Sequence, residues 1–456
     1  MGYLLNRGIG TKPDWKFFDT PCVIALEQPT TNTQANAVAI DITDEFDLLY
    51  AYQQTSSSAQ RKAEIYQLYD LLNQLMLDLA LGLYQPGRYR CFAVKEPKIR
   101  EIFAPSFRDR LVHHLLVDRL MPLIDRRLIF DSFANRPTKG AHHAVRRLQK
   151  FMRQLPPTAY YMQCDIESYF TSINRTRLRE VVYWHIEQLP EIGLDERHFM
   201  FEIIAKVLGQ NPAHKPIYTG NRHLLRQIPR HKSLFHTQPD VGMPIGSLTS
   251  QFFSNVYLNE LDRFVKHHLK AKHYLRYVDD FVLLHECPEQ LNRWKAEIST
   301  FLGQDLALKL HPKKTLIQPT HRGCDYLGYI VRPHSIQVRR RAVKALRRRL
   351  YFFNHLLDPV AFPHFNPPPN NRYGRDIRAG MIKLPLLPTV GLLQNMMQVI
   401  NSYYGTMGHA NSYHLRRSIY LHQFHRLQKY FVPGASFTKM ILRPVALLKR
   451  EGIIAI

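Results

Sequence analysis

Along the chain, segments whose apolar residues recur every three or four positions alternate with segments where they run together or alternate singly. From Ala63, AEIYQLYDLLNQLMLDLALGLY sets Ile65, Leu68, Leu72, Leu75 and Leu79 at helical steps, which predicts an amphipathic helix ending before the turn QPGR. YRCFAVKEPKIREIFAP then alternates apolar and basic residues as a two-stranded ribbon. FRDRLVHHLLVDRLMPLIDRRL and GAHHAVRRLQKFMRQL read as helices. The stretch 159–173, AYYMQCDIESYFTSI, reads as a short buried strand ending on acids and passing into a helix. A poorly apolar, His- and Arg-bearing stretch at 211–240 reads as a long loop or insertion, and SLTSQFFSNVYLNELDRFVKHHL as a further helix. KHYLRYVDDFVLLHEC at 272–287 is a buried-strand run interrupted by Asp279 and Asp280. QVRRRAVKALRRRLYFFNHLL opens a basic helical C-terminal region, which the breaker-rich FPHFNPPPNNRYGR at 362–375 interrupts. The first forty residues are mixed, with a polar loop-like LEQPTTNTQANA at 26–37. No internal repeat stands out.

Composition turns this pattern toward a partner. The 456 residues, 45% apolar and 11% aromatic, are enough for several packed cores. A formal net charge of +25, before any contribution from 23 histidines, attracts polyanions, nucleic acid above all, although a merely solvated basic surface carries the same signal. Five widely spaced cysteines without a C-x-x-C indicate neither a disulfide framework nor a zinc site. No window approaches the ~20 apolar residues of a membrane span, so a soluble cytoplasmic protein is expected.

Two adjacent aspartates between apolar strands can be simply a hairpin turn, since Asp tolerates turn dihedrals. A second strand, in MQCDIESYF, also ends on a carboxylate, Asp165, and a fold pairing the two would bring Asp165 beside Asp279 and Asp280. Three clustered carboxylates repel one another unless cations sit among them. Two divalent ions roughly 3.5 to 4 Å apart would relieve that repulsion and suit in-line phosphoryl transfer. Hard oxygen donors with substrate phosphates favour Mg²⁺, with Mn²⁺ as a substitute. Lys98 and Arg100 in the ribbon, two residues apart and so on one strand face, are either a phosphate clamp or an exposed basic hairpin.

The ordered set of motifs resembles reverse transcriptases over roughly residues 60 to 330. YVDD looks like the catalytic signature, PKIREIFAPSFRDR like the fingers hairpin, and DSFANRPTKGAHHA at 131–144 like the family segment that follows. DIESYF is similar to the first palm motif, GMPIGSLTSQ to the template-and-nucleotide loop, LHPKKT at 310–315 to the motif after the catalytic hairpin, and CDYLGYI at 324–330 to the primer grip. The resemblance implies an α+β right-hand polymerase with fingers, a palm bearing an antiparallel sheet, and a helical thumb. It makes Asp165, Asp279 and Asp280 the catalytic carboxylates and adds the Ile166 carbonyl as a metal ligand. Lys98, Arg100, Phe170, Ile245, Gly246, Gln251 and Lys314 become nucleotide-binding, with Phe170 as a steric gate against the 2′-hydroxyl. Tyr326, Leu327 and Gly328 become the primer grip, and Arg339, Arg340, Arg341, Arg347, Arg348 and Arg349 hold the nucleic-acid backbone. Phe170 is otherwise an ordinary core aromatic, Lys314 a solvated lysine, and YLGY a plain strand.

Ile245-Gly246 and Ser250-Gln251 stand where most reverse transcriptases carry glutamine before the glycine and serine-proline after it. That pattern resembles the enzymes of diversity-generating retroelements, which copy a template RNA with frequent errors at adenines alongside a small basic accessory protein; VINSYYGTMGHANSYHLR at 399–416 is similar to their thumb. Losing a glutamine amide near the nascent pair would relax discrimination by ~1 kcal/mol, the scale of one hydrogen bond. The alternative is an antiphage-defence enzyme with a partner non-coding RNA. Expected partners are template RNA, RNA–DNA duplex and dNTPs, with the oligomeric state open. No segment resembles a zinc-binding endonuclease or an RNase H acidic cluster, which disfavours an intron-mobility polyprotein. The expected division is an N-terminal extension at 1–40, fingers at 41–158, palm at 159–333 with an insertion near 205–241, and a basic thumb at 334–456.

Overall fold

A computed structural model describes residues 65–95, 98–363 and 384–454; the expected N-terminal extension and most of the breaker-rich 362–375 connection lie outside them. In chain order the principal elements are α1 (Ile65–Ala80), β1 (Arg90–Val94), β2 (Arg100–Ala104), α2 (Phe107–Asp125), α3 (Ala141–Gln154), β3 (Tyr160–Cys164), α4 (Arg175–Glu187), α5 (Leu194–Gly209) and β4 (Ile217–Tyr218). They continue with α6 (Leu248–Arg263), β5 (His273–Tyr277), β6 (Asp280–His285), α7 (Pro288–Asp305), β7 (Leu316–Pro319), β8 (Cys324–Tyr326), β9 (Tyr329–Val331) and β10 (Ile336–Val338). The last are α8 (Arg340–Leu357), α9 (Val390–Gly408), α10 (Tyr413–Gln423), β11 (Phe431–Pro433) and β12 (Met440–Leu442). Helices mixed with largely antiparallel sheets make the chain α+β. β5, β6, β3 and β7 form one sheet in that order.

Two compact units are present. The first gathers the described part of Met1–Gly140 with Met162–Leu283 and Glu289–Leu316; the second gathers Ala141–Tyr161, Leu284–Pro288 and the described part of Ile317–Ile456.

In the first unit, β1 and β2 pair antiparallel with Cys91 opposite Phe103. The 211–240 stretch is more than a loop. It contributes β4, which adds to the free edge of β1 in parallel, and Leu234, which is buried with Tyr89, Cys91 and Phe103. Its backbone is tied down as well, since the Leu234 amide donates to the buried Glu101 carboxylate at 3.1 Å. Helix α2 starts at a reciprocal cap: the Asp109 amide donates to Ser106 Oγ at 3.1 Å, and Ser106 Oγ donates to Asp109 Oδ2 at 2.7 Å. Asp109 also accepts from Tyr84 Oη and the Gly87 amide, fastening the entry to β1. Helix α6 is buried on nearly every face, and its small polar Thr249, Ser250, Ser254 and Asn255 let neighbouring elements approach closely.

In the second unit, β8, β9 and β10 form an antiparallel meander, with Tyr326 opposite Tyr329 and Val331 opposite Ile336. Leu346, Leu350 and Phe353 of α8 bury against a core that includes Leu393, Met396, Ile400, Tyr404, Ile419 and Phe424. The opposite face of α8 exposes Arg340, Arg341, Lys344, Arg347 and Arg348. This separation follows from the three- and four-residue spacing of its leucines.

Candidate active site

The β5–β6 hairpin turns on only two residues, Val278 and Asp279, so Asp279 sits at its tip and Asp280 opens β6. Val278 has φ +55°, a left-handed conformation that β-branched residues rarely adopt. Asp165 follows β3 directly. Its carbonyl accepts from the His311 amide at 2.8 Å, and the Glu167 amide donates to Lys309 O at 2.8 Å. These bonds make the Ile166–Leu310 bridge through the flanking residues rather than through Ile166's own carbonyl, which suits the ligand role expected of it.

The three aspartates converge within the first unit. Burial first, and then the neighbouring Asp165 carboxylate, push the Asp279 carboxyl up from 3.8 to about 6, against the opposing influence of Lys314 and Arg100. Asp280 is pushed up in the same way by burial, by Asp279 and Asp165, and by a hydrogen bond shared with the Asp165 carboxyl. Lys314 closes the group with an ion pair to Asp165.

No group of three metal-holding side chains is already formed among the described residues. The donor chemistry nonetheless fits a hard divalent cation. All three donors are carboxylates, and the repulsion that adds to burial in raising Asp279 and Asp280 is what a bound cation would remove.

The other expected site residues divide by position. Arg100 opens β2 and acts electrostatically on Asp279. Lys98 is exposed in the bend before β2, so the alternation that would set it beside Arg100 on one strand face does not apply. Phe170 is half-buried, edge-on to Tyr169 at 5.3 Å, and its carbonyl accepts from the Met243 amide at 2.6 Å. The loop carrying Ile245 and Gly246 is docked on β2: the Phe103 amide donates to the Ile245 carbonyl at 2.9 Å. Gly246 lies so close that a Cβ there would stand 2.9 Å from both Ile102 Cγ2 and the Phe103 carbonyl oxygen. Ile245 and Gln251 are half-buried.

In the second unit, Leu327 and Gly328 form the β8–β9 turn with φ of +47° and +97°. Tyr326 is wholly buried, so its side chain belongs to the core, whereas Leu327 and Gly328 are half-buried. The six arginines are not equivalent either. Arg339 is paired with Asp325, Arg349 is half-buried, and Arg340, Arg341, Arg347 and Arg348 are exposed on one side of α8. Lys344 on the same face went unremarked, although it lies four residues beyond Arg340.

Beneath the Val278–Asp279 turn lies a buried ion pair that motif reading missed. Arg276 of β5 and Asp262 of α6 are both wholly inaccessible, joined by Nε–Oδ1 and Nη2–Oδ2 contacts of 2.7 and 2.6 Å. The available signal was an arginine inside the apolar run HYLRYV.

The reverse transcriptase (RNA-dependent DNA polymerase) family matches residues 94–331, more than half of the chain, and takes in every one of these carboxylates. The chain belongs to the reverse transcriptase family. With that membership the α+β architecture is a right-hand polymerase and the protein an RNA-directed DNA polymerase by class. Among relatives, Protein YkfC of Escherichia coli (strain K12) is 24% identical over 295 residues, covering 57% of this chain and 70% of its own. The group II intron-encoded protein LtrA of Lactococcus lactis subsp. cremoris is 22% identical over 354 residues, covering 63% of this chain and 54% of its own. This reverse transcriptase thus spans about half the length of LtrA. Among solved structures, an apo telomerase from Candida tropicalis is similar with a TM-score of 0.41 at 12% identity, over 80% of this chain and 64% of that one. No helix among the described residues is long and apolar enough to cross a membrane.

Proposed function

We propose that this reverse transcriptase copies a dedicated RNA into DNA, with Asp165, Asp279 and Asp280 as the catalytic carboxylates. The observation that carries this reading is the convergence of the three acids at the end of β3 and the tip of the β5–β6 hairpin, inside the matched family region. These side chains and the Ile166 carbonyl would hold two Mg²⁺ ions. When bound, the ions supply charge neutralisation for the attacking 3′-hydroxyl and the leaving pyrophosphate. Arg100, Lys98 and Lys314 offer cations to the triphosphate, and for Lys314 this requires leaving Asp165. Phe170 bounds the sugar, the Ile245–Gly246 loop supports the nascent pair, and Leu327 and Gly328 support the primer end. The basic face of α8 runs along the duplex backbone. Fingers at 41–158, palm at 159–333 and thumb at 334–456 are the division this reading assigns.

The Ile245-Gly246 and Ser250-Gln251 pattern favours a diversity-generating role with relaxed fidelity at template adenines. Primer extension on RNA with dNTPs, with and without chelator, followed by product sequencing, tests both levels. The reading requires cation-dependent DNA synthesis and fewer adenine errors in Ile245→Gln. Cation-independent incorporation contradicts the chemistry. An unchanged adenine error rate removes Ile245 from the account, and protection against phage without a near-repeat in the flanking DNA replaces the diversifying role with defence.

A further inference from the structure

Val278 poses a problem that its own sequence does not solve. A valine at φ +55° is strained, yet this residue fixes where the next two side chains, Asp279 and Asp280, point. A valine left to itself would relax toward extended backbone and carry the turn with it. Something must hold it.

The Val278 carbonyl accepts from Arg276 Nη1 at 3.1 Å. The same nitrogen donates to Asn255 Oδ1 at 3.3 Å, while Nη2 donates to Ser132 Oγ at 3.2 Å and to Asp262 Oδ2 at 2.6 Å, and Nε donates to Asp262 Oδ1 at 2.7 Å. A guanidinium has five N–H donors, and here each has an acceptor. Asp262 is steadied in turn by Tyr274 Oη at 2.6 Å. The Arg276 backbone is pinned too: its amide donates to Asp131 O at 2.9 Å, and its carbonyl accepts from the Phe133 amide at 3.0 Å. The group cannot shift without breaking several bonds at once, so it offers Val278 a fixed point. A lysine, with no planar fork, could not reproduce this set.

We propose that Arg276 is a positioning residue: by gripping the Val278 carbonyl from a fully buried ion pair, it holds the hairpin tip in the left-handed conformation that aims Asp279 and Asp280 at the reacting phosphate. This rests on the carboxylate assignment of the proposed function. A buried ion pair is by itself weak evidence for stability. The donor that reaches out of the pair to the turn is what gives Arg276 a task in the reaction.

The test is an epistasis experiment on the full chain. Arg276→Gln with Asp262→Asn replaces the pair by neutral hydrogen-bonding groups and leaves no lone buried charge. Primer extension should show kcat falling at least tenfold, with the KM for dNTP and the affinity for RNA changed less than threefold. Adding Val278→Gly should recover most of the lost kcat, because glycine adopts positive φ without being held. If the paired variant does not fold, Asn255→Ala takes its place. It loosens the nitrogen that reaches Val278 while sparing the ion pair, with a kcat loss of at least threefold and the same recovery expected. A purely structural Arg276 would lower activity in step with the folded fraction and gain nothing from glycine. Unchanged kcat in the paired variant, or loss without recovery, overturns the proposal. Extension that survives Asp279→Asn with Asp280→Asn overturns the carboxylate assignment and this proposal with it, so the two failures are distinguishable.

Discussion

Gly246→Ala examines the link between the Ile245–Gly246 loop and the β1–β2 ribbon. Gly246 has φ +121°, where a side chain is strained at a cost of about 1–3 kcal/mol. The new methyl would also meet Ile102 Cγ2 and the Phe103 carbonyl oxygen at 2.9 Å, and Phe103 C at 3.3 Å. The Ile102 methyl can rotate away, but the Phe103 backbone belongs to β2 and cannot. The loop must therefore lift, losing the 2.9 Å bond from the Phe103 amide to the Ile245 carbonyl, worth about 1 kcal/mol. Together these effects amount to roughly 2–4 kcal/mol, a large part of the ~5–15 kcal/mol that stabilises a typical domain. A urea titration of the full chain should show the midpoint falling by that equivalent with the slope unchanged. Primer extension should show a raised KM for dNTP, because the loop that the proposed function sets beside the incoming nucleotide has moved. A shift below about 0.5 kcal/mol together with an unaltered KM would mean that the loop does not rest on β2, and would refute the reasoning.

Three further outcomes follow from other parts of the molecule. His113, buried beside Ser247 with Nδ1 3.2 Å from Oγ, is held down from 6.5 to about 4 by burial and by His114, with Asp109 opposing. Its neutral form is the folded one, so its contribution, about 3 kcal/mol, is present above pH 6.5 and lost as pH falls toward 4; His113→Gln should flatten that acid limb in thermal melts. Changing Arg340, Arg341, Arg347 and Arg348 to Gln should reduce the slope of log affinity against log salt by up to ~0.9 per lost phosphate contact on B-form duplex, and an unchanged slope would move the duplex off α8. Phe170→Ala should raise incorporation of ribonucleotides relative to deoxyribonucleotides, read from competing primer extensions, and an unchanged ratio would return Phe170 to the core.

The strands that carry the three acids were legible because their signal is local: apolar runs flanking Asp165 and the Asp279–Asp280 pair announce strands that end on acids. The face of α8 was legible through the spacing of Leu346, Leu350 and Phe353. What escaped depends on distant partners. β4 is two residues long and exists only because β1 presents a free edge, so nothing within 211–240 signals it. Lys98 fell outside its strand because β2 begins only at Arg100, a boundary that alternation alone does not set. Tyr326 reads equally well as grip or core until its side chain is seen to be wholly buried. Val278 is the sharpest case: β propensity argues for extended backbone, and a buried arginine two residues away overrides it.

The central claim is that Asp279 and Asp280 at the hairpin tip carry RNA-templated DNA synthesis. The direct measurement is single-turnover primer extension on RNA by the full chain carrying Asp279→Asn and Asp280→Asn, with RNA affinity measured in parallel. The account predicts RNA binding within a few-fold of the parent and extension reduced by at least a thousandfold. Extension that persists at a comparable rate with both carboxylates removed would contradict it.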